Sequence, residues 1–251
     1  MSIDTATGQQ APAELSSERV KDIFGHIATR YERFNALSSF GAYKAWLRGM
    51  ARQADIPSTA TVLDVAGGTG DVSFTMAKRK HPKLIVCSDL VPEMLEVAQE
   101  HYAQGSADGV PMEFQVVDAQ NMPFEDESFD VLTMAYGIRN MPERERALRE
   151  MHRVLKPGGQ LVCLEFSTPQ NPVWRGLYHV YLQVLIPFWG GVAAGRENVE
   201  GFTYLSKSIK AFPDQQGLAN MMHQAGFAEV TWKNYTGGIA AVHVAKKAPL
   251  A

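Results

Sequence analysis

The chain has 251 residues, 45% of them hydrophobic and 20% charged, a globular composition that excludes disorder, a coiled coil or a collagen-like fibre as the main architecture. A formal net charge of −3 offers no basic excess, so nucleic acid is not an expected partner. The two cysteines, Cys87 and Cys163, sit in separate apolar runs without a CxxC or Cys/His cluster, which excludes a disulfide framework and a zinc site; no metal is expected.

Residues 1–17 are rich in Ala, Gln, Thr and Pro and read as a mobile tail without a secretory signal, consistent with a cytoplasmic protein. Ser17 is placed to cap a helix whose apolar stripe is Val20, Ile23, Phe24, Ile27, Ala28 and Tyr31. A second helix is predicted from Tyr43 to Gln53, so residues 18–55 form an N-terminal helical section. Thr61–Ala66 is a short apolar strand that meets Gly67-Gly68-Thr69-Gly70-Asp71 and then a helix to Lys80. Next come a strand at Leu84–Ser88, a helix at Glu93–Tyr102 and strands at Met112–Val117 and Phe129–Ala135. A helix at Glu143–Leu155 is stopped by Lys156-Pro157-Gly158-Gly159, and Gln160–Phe166 is the fifth strand. Strands alternating with helices predict βαβ units, hence an α/β fold with a mostly parallel sheet covered on both faces.

Residues 168–213 break the alternation with an aromatic run that includes Trp174, Tyr178, Tyr181, Trp189 and Tyr204. Placed after the fifth strand, this insertion reads as a cap over the ligand end of the sheet, as a core helix that covers it, or as both. Its most apolar part, Val184–Ala194, is broken by Pro187, Gly190 and Gly191 and falls short of a membrane span. A helix at Gly217–Ala225 follows. Strands at Glu229–Tyr235 and Ile239–Ala245, joined at Gly237-Gly238, form an antiparallel pair and bring the count to seven.

The chemistry starts at Gly67-Gly68-Thr69-Gly70, a glycine loop between a strand and a helix. Glycines allow the tight turn and a close ligand, and the free N–H groups of the helix start favour an anion. Asp89, at the end of the second strand, can accept both hydroxyls of a ribose. The loop has no lysine and lacks GxGxxG spacing, and Asp64 and Asp71 flank it with negative charge. That disfavours a pyrophosphate and suits a ligand carrying an ammonium and a sulfonium, which points to S-adenosyl-L-methionine.

Leu63 to Asp71 resembles the first motif of class I methyltransferases. Arg153 to Gly159, followed by Leu164-Glu165-Phe166-Ser167, is similar to a signature of the ubiquinone/menaquinone C-methyltransferase family. Tyr136-Gly137-Ile138-Arg139-Asn140, Tyr204 to Ile209, Phe212 to Gln215 and Gly238 to His243 resemble further blocks of that family. The resemblance runs from about Val20 to Lys246. It implies a single Rossmann-like class I methyltransferase domain over 18–251, seven strands with the last antiparallel, and S-adenosyl-L-methionine as cofactor. It implies cofactor contacts from Asp64, Gly67, Gly68, Thr69, Gly70, Asp89, Leu90, Asp118, Ala119 and Ala135. The sequence departs from the family pattern at Ala135, where Ser is common, and in Tyr31-Glu32-Arg33-Phe34-Asn35 with Tyr43 ahead of Trp46.

The implied reaction methylates a ring carbon of a polyprenylated quinol, demethylmenaquinol to menaquinol. A quinone ring is electron-poor, so the acceptor is expected in its reduced form, where loss of a phenolic proton makes the ortho carbon nucleophilic. Arg139, Asn140 and His243 are the catalytic candidates: Arg139 to stabilise a phenolate or polarise a water, Asn140 to bond a ring oxygen, and His243 to relay a proton. A salt bridge, a helix cap and a structural histidine are their competing uses. Tyr31, Asn35, Tyr204 and Ser208 are candidates for lining the acceptor pocket. Peripheral contact with the inner face of the cell membrane and a homodimer stay open. The competing functions are an aromatic O- or N-methyltransferase on the same fold and a binding protein without activity.

Overall fold

The computed structural model describes Ser16, Glu18, Lys21, Asp22, Gly25, Ser39 and residues 41–185 and 199–250. The tail expected at 1–17, apart from Ser16, and the stripe residues from Val20 to Tyr31 lie outside the described residues. Glu18, Lys21, Asp22 and Gly25 are helical; the next helix, α1 (Tyr43–Gln53), coincides with the expected one and buries Tyr43, Trp46, Leu47 and Met50.

Seven strands form one sheet: β1 (Thr61–Val65), β2 (Leu84–Asp89), β3 (Met112–Val116), β4 (Phe129–Ala135), β5 (Leu155–Phe166), β6 (Glu229–Tyr235) and β7 (Ala240–Lys246). Their order is β3-β2-β1-β4-β5-β7-β6. β7 runs antiparallel to both β5 and β6, and the other pairings are parallel. This is the Rossmann-like arrangement of class I methyltransferases. The order reverses between β1 and β4, and a ligand crevice opens beyond the carboxyl ends of strands at such a switch point.

Helices α2 (Asp71–Lys80), α3 (Pro92–Ala103), α4 (Arg144–Val154), α5 (Pro172–Val180), α6 (Val199–Ala211) and α7 (Gln215–Gln224) complete the described regular helices. Side chains alternate across the strands and so feed two cores. Val62, Ile85, Val131 and Val162 pack against α1 and α2. Leu63, Val86, Leu132 and Leu161 pack against Leu148 and Met151 of α4 and Leu218 and Met222 of α7.

Local signals set the helix ends. Asp71 opens α2 and Lys78, Arg79 and Lys80 close it, which matches the helix dipole at both ends. Asn171 caps α5, its side chain accepting from the N–H groups of Val173 and Trp174, with Pro172 in the first turn. Asp214 caps α7 through the Gly217 N–H, so that helix starts two residues before the predicted Gly217.

The largest departure from the sequence reading is the start of β5. The Lys156–Gly159 stretch is strand rather than loop, because Gly158 N–H donates to the carbonyls of Lys247 and Ala248 and Lys247 N–H donates to Gly159 O. A side chain at Gly159 would sit 2.7 Å from the Asp130 carbonyl, so glycine is what lets the two backbones meet. Turn residues serve here as strand residues, in a strand paired on both sides.

Candidate active site

β1 delivers Ala66 in a left-handed conformation, φ +52°, and the chain turns through Gly67–Gly70 into α2. A Cβ on Gly67 would lie 2.7 Å from Cys87 Sγ; only glycine leaves room for the loop against β2. Gly70 takes φ +91°. Gly67 N–H donates to Ser88 O at 2.8 Å, and Gly68 N–H donates to Asp89 Oδ2 at 2.8 Å. Val91 N–H donates to the other oxygen, Oδ1, at 2.9 Å. Each Asp89 oxygen therefore keeps capacity for one further donor. Burial pushes the Asp89 carboxyl above the usual carboxylate range.

The Gly67–Thr69 loop, Asp89 and Leu90 form one side of a cleft of about 970 Å³, mouth included. Asp118, Ala119 and Gln120, just after β3, line its far end; Ala135, Tyr136, Gly137 and Asn140, after β4, line the facing wall. Asp118 Oδ1 accepts from Gln120 N–H at 2.9 Å, and Gln120 Oε1 accepts from Glu143 N–H at 2.8 Å. Thr69 is buried, and its hydroxyl has no hydrogen-bond partner among the described residues. A buried hydroxyl left so is costly unless a ligand completes it.

The facing wall is built on a tight corner. Tyr136 takes φ +59°, and a Cβ on Gly137 would meet Ala66 Cβ at 2.8 Å, so β1 and β4 approach as closely as their ends allow. A single turn of tight helix, Ile138–Asn140, follows. The Tyr136 carbonyl accepts from Arg139 Nη1 at 2.6 Å and from Asn140 Nδ2 at 3.0 Å. That fixes the Asn140 amide with Oδ1 outward, where it accepts from the Tyr204 hydroxyl of α6 at 3.0 Å. Arg139 pairs with Glu165 at the end of β5, Nη1 to Oε1 2.7 Å, both side chains buried.

A second pocket, about 590 Å³ with its mouth, lies between α1 and α5 and is lined by Trp46, Trp174, Leu177, Tyr178, Tyr181 and Ile239, with Ser39. Phe166 lies between the two spaces, packing on Tyr136 of the cleft wall with ring centres 4.9 Å apart and on Trp46 of the pocket at 6.0 Å. Both Trp46 and Trp174 are anchored at Thr236: Trp46 Nε1 donates to its hydroxyl and Trp174 Nε1 to its carbonyl. On the outer side of α5, Val173, Leu177 and Val180 are 75%, 58% and 57% exposed.

The sequence of the ubiE/COQ5 methyltransferase family matches residues 13–247 of the chain. The chain is 41% identical to the ubiquinone/menaquinone biosynthesis C-methyltransferase UbiE of Rubrivivax gelatinosus over 247 residues, 97% of this chain and 93% of that protein. It is 38% identical to the protein of the same name from Cellvibrio japonicus, covering 94% of each. This chain belongs to the ubiE/COQ5 methyltransferase family. Among solved structures, a SAM-dependent methyltransferase of Thermotoga maritima shares the fold at 21% identity with a TM-score of 0.60, over 90% of this chain and 99% of that one.

Within this methyltransferase, the expected cofactor residues Gly67, Gly68, Thr69, Asp89, Leu90, Asp118, Ala119 and Ala135 line one cleft. Asp64 and Gly70 do not. Asp64 lies beneath the loop, fully buried, and accepts from Ser73 Oγ at 2.6 Å and Thr133 Oγ1 at 2.8 Å. Burial pushes its carboxyl up to about 7 against those two bonds. Gly70 acts on the backbone, turning the chain into α2. His243 is buried in mid-sheet, stacked on Trp232, with Nε2 3.0 Å from the Gln215 carbonyl; it is not among the residues lining the cleft. Burial pulls it down to about 4. Ser208 Oγ donates to the Leu205 carbonyl of its own helix. Tyr31 and Asn35 lie outside the described residues. Gln120 is absent from the expected site, and Tyr136 and Glu165 stand in the sequence only as residues of the family blocks, without an assigned role. Glu165 carried a usable signal: it is the one charged residue in the apolar run Gln160–Phe166.

Proposed function

We propose that the protein transfers the methyl group of S-adenosyl-L-methionine to a ring carbon of a reduced, polyprenylated quinol, the demethylmenaquinol-to-menaquinol type of reaction. Family membership supports the reaction class, and the cleft supports the cofactor. Thr69 offers a buried hydroxyl without a partner at the helix start, where a carboxylate is favoured. Asp89 can accept from the ribose hydroxyls beside its Gly68 and Val91 bonds, and the Asp118 carboxylate, which also holds the Gln120 amide, can accept from the adenine amino group. Leu90, Met94, Ala119 and Met141 supply the apolar walls. When bound, the cofactor supplies an electrophilic sulfonium methyl.

The residues of the chain position the other reactant. Asn140 Oδ1 and the Tyr204 hydroxyl form a donor–acceptor pair at the cleft wall that suits a ring hydroxyl. The observation that carries the quinol reading is the aromatic pocket of Trp46, Trp174 and Tyr178 next to the cleft, with only the Phe166 ring between Trp46 and the cleft-wall Tyr136. A solvated acceptor has no use for such a space. A prenyl chain does, because each exposed CH₂ costs about 0.8 kcal/mol in water. Leu177 both lines this pocket and belongs to the exposed apolar side of α5. That arrangement favours entry of the tail from a bilayer surface on which α5 lies peripherally. No helix among the described residues is long and apolar enough to cross a membrane.

The test is to supply methyl-labelled cofactor with a reduced demethylmenaquinol and to locate the label in the product by NMR. Label on a ring carbon is the expected outcome. Label on oxygen or nitrogen would move the protein to the O- or N-methyltransferase reading.

A further inference from the structure

The Arg139–Glu165 ion pair is the most completely buried charge pair of the described residues, with side chains 4% and 1% exposed. Arg139 Nη1 reaches Glu165 Oε1 at 2.7 Å and the Tyr136 carbonyl at 2.6 Å. Glu165 Oε1 also accepts from Phe166 N–H at 2.8 Å, and Oε2 accepts from Arg139 N–H at 3.3 Å. The guanidinium lies 5.3 Å from the centre of the Phe166 ring and 5.9 Å from that of Tyr136. A buried pair of this kind adds little stability over two apolar side chains of the same size, whereas removing one partner strands a charge. Its position gives it another use. It sits directly behind the Tyr136–Asn140 corner that forms the cleft wall, and its field reaches the hydroxyls of Tyr204 and Tyr178 on the two cap helices.

We propose that Glu165 is a positioning residue for methyl transfer: through Arg139 it fixes where the guanidinium sits behind the acceptor wall and how much positive field reaches the acceptor phenol. The inference rests on the phenolic acceptor of the proposed function. With Nη1 committed to Glu165 and to the Tyr136 carbonyl, Arg139 is a fixed cation rather than a base. A phenolate forming against the wall is stabilised by that cation, and Glu165 holds the cation in place while moderating it. The other charged or titratable groups facing the pair are Arg144 of α4, whose Nη2 donates to the Arg139 carbonyl, Tyr136, Tyr178 and Tyr204, together with buried Cys163 beneath Glu165.

Two variants of the full-length protein separate this role from a structural one. Glu165→Gln keeps the shape and one acceptor oxygen but removes the countercharge. The acid limb of the kcat profile is expected to move down by about one pH unit, because the unopposed cation favours the ionised phenol. The double variant Arg139→Met with Glu165→Leu replaces the pair by apolar volume. It leaves the Phe166 and Arg139 N–H groups without their carboxylate acceptor, so Tm is expected to fall by several degrees while the folded variant keeps cofactor affinity near wild type and kcat falls about 100-fold or more, the scale of losing an electrostatic stabiliser. A folded double variant that retains kcat would overturn the inference, as would an unchanged acid limb in a folded Glu165→Gln protein. Should Glu165→Gln fail to fold, the double variant decides alone. Wild-type protein that methylates no reduced quinol would instead defeat the proposed function, and this inference with it.

Discussion

Replacing Asp89 by Ala perturbs the point where the loop and the ribose site meet. The carboxylate accepts from Gly68 N–H at 2.8 Å and from Val91 N–H at 2.9 Å, so truncation removes two internal bonds besides the two expected from ribose hydroxyls. The internal pair is worth roughly 1 kcal/mol per bond to stability. Two charge-assisted bonds to the ribose, each about 1.5–3 kcal/mol, set a lower bound near 3 kcal/mol on binding. That corresponds to a loss of more than about 100-fold in Kd. Calorimetry with S-adenosyl-L-methionine measures the affinity, and circular dichroism shows whether the variant is folded. Asp89→Glu, which keeps the charge but lengthens the side chain into the ribose position, is expected to bind weakly as well. A folded Asp89→Ala protein whose Kd changes less than threefold would refute the assignment of this carboxylate to the ribose.

Asp64, raised to about 7 in the fold, keeps a proton that the unfolded chain releases near pH 4. Its stabilising contribution is full below that pH and is lost as pH rises through 7, so chemical denaturation of Asp64→Asn is expected to show a flatter decline over this window than wild type; an unchanged slope would count against a protonated Asp64. His243 has the opposite sign. Depressed to about 4, it stays neutral in the fold, and stability present above the unfolded value near 6.5 is lost as pH falls towards 4. His243→Leu is therefore expected to resist acid better than wild type in melting experiments while keeping kcat within a few-fold, and a loss of several orders in kcat at unchanged Tm would return His243 to the proton path. Trp174→Ser with Leu177→Ser is expected to raise KM for a long-tailed acceptor at least tenfold more than for a tail-less analogue, with cofactor affinity unchanged. An equal rise for both acceptors would make α5 a structural cover only.

The order of strands and helices was legible because short, nearly continuous apolar runs alternate with apolar stripes of period 3.6, and the glycine loop announced the crevice. The start of β5 was not, since Pro157-Gly158-Gly159 carries the composition of a stop and only the partner backbone at Lys247 shows that it continues a sheet. The cofactor side of the cleft was largely readable because each residue stands at the end of a strand, where the topology gathers them. Side-chain direction was the missing quantity. Asp64 falls one residue before the end of β1, on the face that meets Ser73 and Thr133 rather than the crevice. His243 stands three residues into β7, beside Trp232 and away from the mouth. Glu165 gained its role from a partner 26 residues earlier, a pairing that no local pattern encodes.

The central claim is transfer to the electron-rich ring of a reduced acceptor. Its most direct measurement is single turnover with methyl-labelled S-adenosyl-L-methionine and one demethylated polyprenyl acceptor, presented anaerobically either as the quinol or as the quinone. Label is expected on the ring carbon of the quinol, with no transfer to the quinone. Equal transfer to the strictly oxidised ring would contradict the claim, because that ring has no phenolic proton to lose and no nucleophilic carbon to offer.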